Sequence, residues 1–271
     1  DHLNSKELLA FVSEEQHKFD ALYVEFEDRF RGTREDIKER LQVYMPYLEA
    51  LPFSKEKMEV LDVGCGRAEW LEILKGNAYK AKGIDLNRVM VSISQNRGYD
   101  VRQSNVIEYL KSLKPETLST ITGFHIIEHL SFSVLMNLFE ESYRVLKKGG
   151  LVIFETPNPE NILVGAHYFY TDPTHINPLV PATVEFLITQ SGFKQVEIKR
   201  LHRNYEYKQI DNLLGLEKNQ YWMMAPNERL AIIGIINIIK PISVLELGYA
   251  SGGCTEYLSK YSKNVYTVDI D

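Results

Sequence analysis

Apolar residues recur at helical spacing from the start of the chain. Leu8, Leu9, Phe11 and Val12 form one stripe, and Phe19, Leu22, Tyr23, Phe26 and Phe30 form a second at i, i+3, i+4 intervals. Gly32 interrupts the pattern. Thr33 followed by Asp36 reads as a capping box and predicts a second helix through Ile37, Leu41 and Tyr44, stopping at Pro46. After Ala50 the period changes. Short apolar runs predict strands near Glu59–Val63, Lys82–Asp85, Asp100–Gln103, Thr120–Phe124, Leu151–Glu155 and Gln195–Arg200. Between them, helices are expected near Ala68–Leu74, Arg88–Asn96, Val106–Leu113, Val134–Leu146 and Ala182–Gln190, with Lys147-Lys148-Gly149-Gly150 closing the fourth. Such alternation with short joints predicts an α/β protein, a doubly wound and mainly parallel sheet covered on both faces.

The pattern then weakens from Asn204 to Ala225, which reads as a linker, and Pro226-Asn227-Glu228 caps a new helix. Val244 to Asp271 repeats an earlier stretch without a gap. Val60 falls on Val244, Asp62 on Glu246, Gly64 on Gly248 and Asp85 on Asp269. The expected organisation is therefore N-terminal helices over 1–50, an α/β domain over 51–203, a linker over 204–225 and the opening of a second such domain over 226–271. The copy has Ala250 for the second glycine and holds only two strands, so it is expected to be part of a longer domain without competent ligand binding.

Composition narrows the class. The 271 residues are 44% hydrophobic and 25% charged, as in globular proteins with a proper core, and the formal net charge is −6. An acidic balance without a basic stripe argues against a nucleic-acid partner. Two cysteines, Cys65 and Cys254, give no disulfide framework and fit a reducing cytoplasm. The acidic amino terminus is not a signal peptide, and the apolar run from Leu230 is too short to span a bilayer. A soluble cytoplasmic protein is expected, with peripheral association at the inner face of a membrane left open.

Candidate chemistry gathers at two places. In Val60-Leu-Asp-Val-Gly-Cys-Gly66 a buried strand runs into a G-x-G turn, where side chains would hold the backbone away from a ligand, and Asp85 ends the next strand, where a carboxylate can accept both hydroxyls of a ribose. Glu69 occupies the place of the third glycine of a dinucleotide fingerprint, which argues against a nicotinamide cofactor. The second place is Gly123-Phe-His-Ile-Ile-Glu-His-Leu130. Its H-x-x-E-H string is nominally that of an inverted zinc protease, but it follows a strand rather than lying on a long helix.

The glycine turn, the acid at Asp85 and the late Leu146-Lys-Lys-Gly-Gly-Leu-Val-Ile-Phe-Glu-Thr-Pro157 together resemble class I S-adenosylmethionine-dependent methyltransferases. The resemblance implies that Gly64 and Gly66 bring backbone to the methionine part of the cofactor, with Asp62 and Cys65 of the same motif beside them. Asp85 would hold the ribose, and Leu86 would flank the adenine. Asn105 and Val106 fall where the family reads the adenine amine, although Asn105 replaces the usual acid.

Within that class, the histidine string resembles small-RNA 2′-O-methyltransferases and ubiquinone-pathway O-methyltransferases. Carried over, His125, Glu128, His129 and His175 become the catalytic candidates, with His125 also beside the cofactor. Glu128, His129 and His175 could then hold one divalent metal ion, the last histidine lying in Asp172-Pro-Thr-His175. A histidine acting as a plain base is the alternative. His167, Tyr168, Tyr170 and Asp172 read either as a sugar-binding rim or as an ordinary lid. His2, His17 and His202 carry no such context and are expected at the surface.

The stretch Phe26 to Tyr44, with GCGRAEWLE, GFHIIEHL and ETPNPENILVG, is similar to bacterial O-antigen chain-terminating methyltransferases of the WbdD type. That resemblance implies methyl transfer to a sugar hydroxyl or terminal phosphate at the non-reducing end of a surface glycan, alongside glycosyltransferases. Tyr23, Arg29 and Arg31 would close over the cofactor. An RNA 2′-O-methyltransferase and a non-catalytic cofactor-binding module of a multidomain synthase are the competing readings.

Overall fold

The structure, a computed structural model, describes Glu14, residues 17–201 and the strands Ser243–Leu247 and Asn264–Val268. The stripe at Leu8 to Val12, His2, His202, the expected linker and the second glycine turn lie outside the described residues. Contacts group the chain into two units, Asp1–Pro157 with Pro173–Glu197, and Asn158–Asp172 with Ile198–Asp271.

In the larger unit, helices α1 (Asp20–Phe30), α2 (Arg34–Leu41) and α3 (Met45–Glu49) precede strand β1 (Glu59–Val63). Thr33 caps α2 reciprocally with Asp36, as expected. Pro46 does not stop that helix. The chain leaves α2 at Leu41, makes one tight turn, and Pro46 opens α3, where its missing N–H costs nothing. Then follow α4 (Glu69–Gly76), β2 (Lys80–Asp85), α5 (Arg88–Asn96), β3 (Val101–Gln103), α6 (Val106–Ser112), β4 (Leu118–Phe124), α7 (Phe132–Val145) and β5 (Leu146–Glu155).

These five strands form one parallel sheet in the order β3-β2-β1-β4-β5. The order reverses between β1 and β4, so a crevice opens beyond their carboxyl ends, where ligands collect in open α/β sheets. Strand β4 is buried along its whole length, as expected of a central strand covered on both sides. On one side Leu61, Val63, Ile121, Leu135, Leu138 and Phe139 pack together. Another cluster joins Cys65, Ala68, Leu71, Val91 and Val101. Truncating a residue as enclosed as Phe139 would cost about 3–5 kcal/mol.

Two expectations fail here. Lys147 to Gly150 do not exit a helix; β5 begins at once at Leu146. Leu118 pairs with Leu146 but Thr120 with Leu151, so the intervening residues bulge from the ladder. A side chain on Gly150 would meet Lys147 O at 2.8 Å and Ser119 O at 3.0 Å, which explains the glycine. No strand forms at Gln195–Arg200; Gln195 has a φ of 57°, outside the extended region. Helix α9 (Pro181–Gln190) closes the described part of this unit, after α8 (Ile162–Ala166) in the smaller unit.

The smaller unit carries a two-stranded parallel pair, β6 (Ser243–Leu247) and β7 (Asn264–Val268). Its register repeats that of β1 and β2: Glu59 faces Lys80 and Ser243 faces Asn264, while Asp62 faces Gly83 and Glu246 faces Thr267. The internal repeat seen in the sequence is thus a repeat of strand pairing.

Candidate active site

The first half of the site is backbone. After β1 the chain turns through Gly64 at φ 65° and Gly66 at φ 48° before α4 begins. A Cβ at Gly64 would lie 2.9 Å from Ile126 Cδ1, so both conformation and space require glycine there. The Asp85 carboxylate accepts from Gly66 N and Asn87 N, both at 2.8 Å, and so locks the turn to the end of β2. Burial raises the Asp85 pKa even though these N–H groups oppose the rise.

Leu86 is exposed beside Asp85, as an apolar platform for a planar base would be. Asp62 lies beneath the turn, 2% exposed, and accepts from Thr122 Oγ1 at 2.7 Å. Burial pushes it up to about 7, against the Thr122 bond and Arg31. Cys65 is buried, which raises its thiol well above the usual range and keeps it unreactive. The Asn105 side-chain Oδ1 caps α6 by accepting from Ile107 N at 2.9 Å and Glu108 N at 3.3 Å, and Val106 is buried.

Helix α1 lies against this turn. Asp20 Oδ2 accepts from Arg88 N at 2.7 Å at one end, and Asp28 Oδ1 accepts from Arg67 Nη1 at 2.7 Å near the other. The Glu69 carboxylate is 4% exposed and sits 2.8 Å from Arg67 Nε and 3.6 Å from Arg34 Nη1. Arg34 and Lys38 both bond Glu72 at 2.7 Å. The residue that replaces a fingerprint glycine is therefore the anchor that ties the N-terminal helices to α4.

Of the three residues expected to close over the cofactor, Arg31 reaches the turn, its Nη1 3.6 Å from a Cβ placed on Gly66. Tyr23 is half-buried and stacks on Phe26. Arg29 is exposed with its guanidinium over Phe30, away from the turn, because its place on α1 points it outward. His17 is not a free surface residue: it contacts Asp20 Oδ2 and Gln103 Nε2, each at 3.0 Å.

The second half of the site is side chain. His125 follows β4 with a φ of 57°, strained for a non-glycine residue, and its N–H donates to Glu155 O at 2.9 Å. Its Nδ1 lies 3.2 Å from Glu128 Oε1 and its Nε2 3.4 Å from Glu155 Oε1. Burial works against a charge on this ring, but the bonds to Glu128 and Glu155 outweigh it and lift the ring to about 9. Its side chain keeps 38% of its surface open, so solvent screens part of the effect. The direction of this shift favours the protonated ring, which directs its N–H groups at both carboxylates.

Glu128 is 0% exposed, and neither carboxylate oxygen has a well-formed hydrogen bond. Burial would raise it, but His125 holds it below the usual carboxylate range. Its carbonyl accepts from Ile176 N at 2.9 Å and Asn177 N at 3.1 Å, which draws His175 in, with Nε2 3.8 Å from Glu128 Oε1. The rings of His129 and His175 meet edge to face at 4.7 Å. One ligand atom from each of Glu128, His129 and His175 falls within 4.8 Å of the others.

That donor set fits a divalent cation. A buried carboxylate whose nearest partner, His125, forms no well-aligned hydrogen bond is costly alone, and Thr174 Oγ1 orients His129 through Nδ1 at 2.9 Å, as outer partners orient metal-ligating histidines. The sequence pointed to His125, Glu128, His129 and His175 and the structure unites them. It also adds Glu155 and Tyr44, whose hydroxyl donates to Glu155 Oε2. Neither was foreseen: the β4–β5 ladder sets Glu155 beside His125, and the turn after α2 brings in Tyr44. His167, Tyr168, Tyr170 and Asp172 belong to the smaller unit, where His167 packs on Tyr168 at 5.1 Å and Asn161 caps α8.

A sheet of this order, a glycine turn at its switch point and an acid ending the second strand define a class I methyltransferase fold. A family model described as a methyltransferase domain matches residues 34–198, more than half of the chain, and the chain belongs to that family. It is 35% identical to an S-adenosylmethionine-dependent methyltransferase from Archaeoglobus fulgidus, whose structure superposes with a TM-score of 0.64 over 80% of this chain and 91% of that one. Demethylmenaquinone methyltransferase of Oceanobacillus iheyensis is 28% identical over 222 residues, 74% of this chain and 86% of that protein. Ubiquinone biosynthesis O-methyltransferase of Pseudomonas entomophila is 30% identical over 120 residues, 41% of this chain. The chain spans about half the length of the first curated relatives it matches. No described helix is long and apolar enough to cross a membrane.

Proposed function

We propose that the protein transfers a methyl group from S-adenosylmethionine to a hydroxyl oxygen, and that the hydroxyl belongs to a sugar at the non-reducing end of a bacterial surface glycan. When bound, S-adenosylmethionine supplies an electrophilic methyl group on a positively charged sulfur. Gly64, Gly66 and Asp85 would hold it, and Arg31 would cover it.

The observation that carries the oxygen acceptor is the convergence of Glu128, His129 and His175 beside the turn. A hydroxyl must lose its proton as the methyl arrives, and a metal ion held there would lower the cost of that loss. Those three residues would hold it, with His125 and Glu155 orienting Glu128. The glycan rests on the likeness of the Phe26–Tyr44 stretch and the histidine string to chain-terminating methyltransferases, and glycosyltransferases are the partners that reading implies. A second reading takes the acceptor to be a ring hydroxyl of a quinone precursor; it is favoured by the name of the ubiquinone-biosynthesis O-methyltransferase relative.

The test is transfer of labelled methyl to bacterial glycans, quinone precursors and short RNAs, each with and without chelator. Label on glycan, lost with chelator and restored by a divalent ion, is the expected outcome. Label confined to quinone precursors or RNA sinks the glycan acceptor, and transfer indifferent to chelator sinks the metal. Cofactor binding without transfer to any acceptor would favour a non-catalytic module.

A further inference from the structure

Glu27 and Arg31 stand one turn apart on α1, with Arg31 Nη1 3.2 Å from Glu27 Oε1. An ion pair of this spacing on a helix surface normally leaves its remaining atoms to water. Here both side chains are largely buried, and Glu27 Oε2 and Arg31 Nε have no hydrogen-bond partner. Their heads face the glycine turn: Glu27 Oε2 and Arg31 Nη1 each lie 3.6 Å from a Cβ placed on Gly66. A buried carboxylate oxygen without a donor is costly unless something cationic arrives. Burial works against the Arg31 charge, but Glu27, then Glu69, Glu155 and Glu128, outweigh it and keep the guanidinium charged.

We infer that Glu27 and Arg31 form a two-charge reader for the amino-acid end of the cofactor, with Glu27 accepting from its ammonium and Arg31 donating to its carboxylate. The inference rests on the methyltransferase reading and deepens it. An α-amino acid head presents opposite charges close together, and a Glu–Arg pair with one open acceptor and one open donor is its complement. The turn offers an ammonium only neutral backbone carbonyls, and Glu27 adds the formal negative charge that matches it. The reader is carried by the N-terminal helix that Arg67 and Glu69 fasten to α4, so ordering of α1 and recognition of the head group are one event.

The experiment measures binding calorimetrically, with S-adenosylhomocysteine and its desamino analogue as probes. The wild-type protein is expected to prefer S-adenosylhomocysteine by about 10- to 100-fold, the range of one charged hydrogen bond. Glu27→Gln should erase that preference by weakening only the amino form, and Glu27→Asp should restore part of it. Equal weakening of both probes, or an unchanged preference, would overturn the inference while leaving the cofactor assignment intact. A wild-type protein that binds neither probe would overturn the methyltransferase reading and this inference with it.

Discussion

The glycine turn and the carboxylate–histidine cluster lie at the ends of adjacent strands, yet they are built in opposite ways. The turn is local: Gly64, Gly66 and Asp85 come from one strand–helix–strand unit, and its binding groups are backbone. The cluster is long-range, for Glu128 meets His175 through a segment held by two backbone N–H groups on the Glu128 carbonyl and by Thr174 on His129. A local backbone site tolerates changes of side chain but not of shape. A long-range side-chain site tolerates neither, and its buried charges keep it poised for a ligand.

Glu128→Gln should produce the largest effect. Methyl transfer is expected to fall on the order of a thousandfold, with affinity for S-adenosylhomocysteine changed less than about threefold. A parallel loss of cofactor affinity, read by calorimetry, would merge the two regions into one. Asp62→Asn probes the residue that joins them. Its raised pKa means that the protonated form is favoured in the folded protein, so the stability it confers is full near pH 4 and is lost as pH climbs through about 7. The asparagine variant should not show that fall, and above pH 7 it should gain roughly 2–4 kcal/mol on the wild type relative to their difference at pH 4, by denaturant melts.

Gly64→Ala comes next. With a Cβ 2.9 Å from Ile126 Cδ1 and a left-handed φ, S-adenosylhomocysteine should bind about 100-fold more weakly. Gly66→Ala should be milder, about tenfold, because its Cβ would meet neighbours only at ordinary contact distance. Were Gly66→Ala the worse of the two, the close approach of ligand backbone rather than the fit against Ile126 would define the turn.

The same contrast governs what the sequence revealed. Strand β1, helix α5 and the Thr33 cap were legible because period, glycine and capping signals are local. The histidine string was legible as a motif, but not Glu155, Tyr44 or Glu27, which join the site through packing across many residues. Glu69 was legible only as a missing glycine; its partners Arg67 and Arg34 gave it a role. Gln195–Arg200 misled because its alternation of apolar and polar residues matches a strand, while a left-handed Gln195 breaks the run.

The repeated register of β1–β2 and β6–β7 has a consequence for how the chain finds its fold. Two interchangeable strand pairs in one polypeptide invite exchange, a known hazard of repeat proteins. Connectivity opposes it: closing a loop of about 16 residues rather than about 200 favours neighbours by roughly 2 kcal/mol. Sequence opposes it too. If β7 took the place of β2 beside β1, Thr267 would stand where Gly83 stands, and a Cβ there falls 2.6 Å from Cys65 Sγ and 2.7 Å from Leu71 Cδ1. Gly83 is thus a proofreading position, at which the absence of a side chain tells the folding chain which partner is its own.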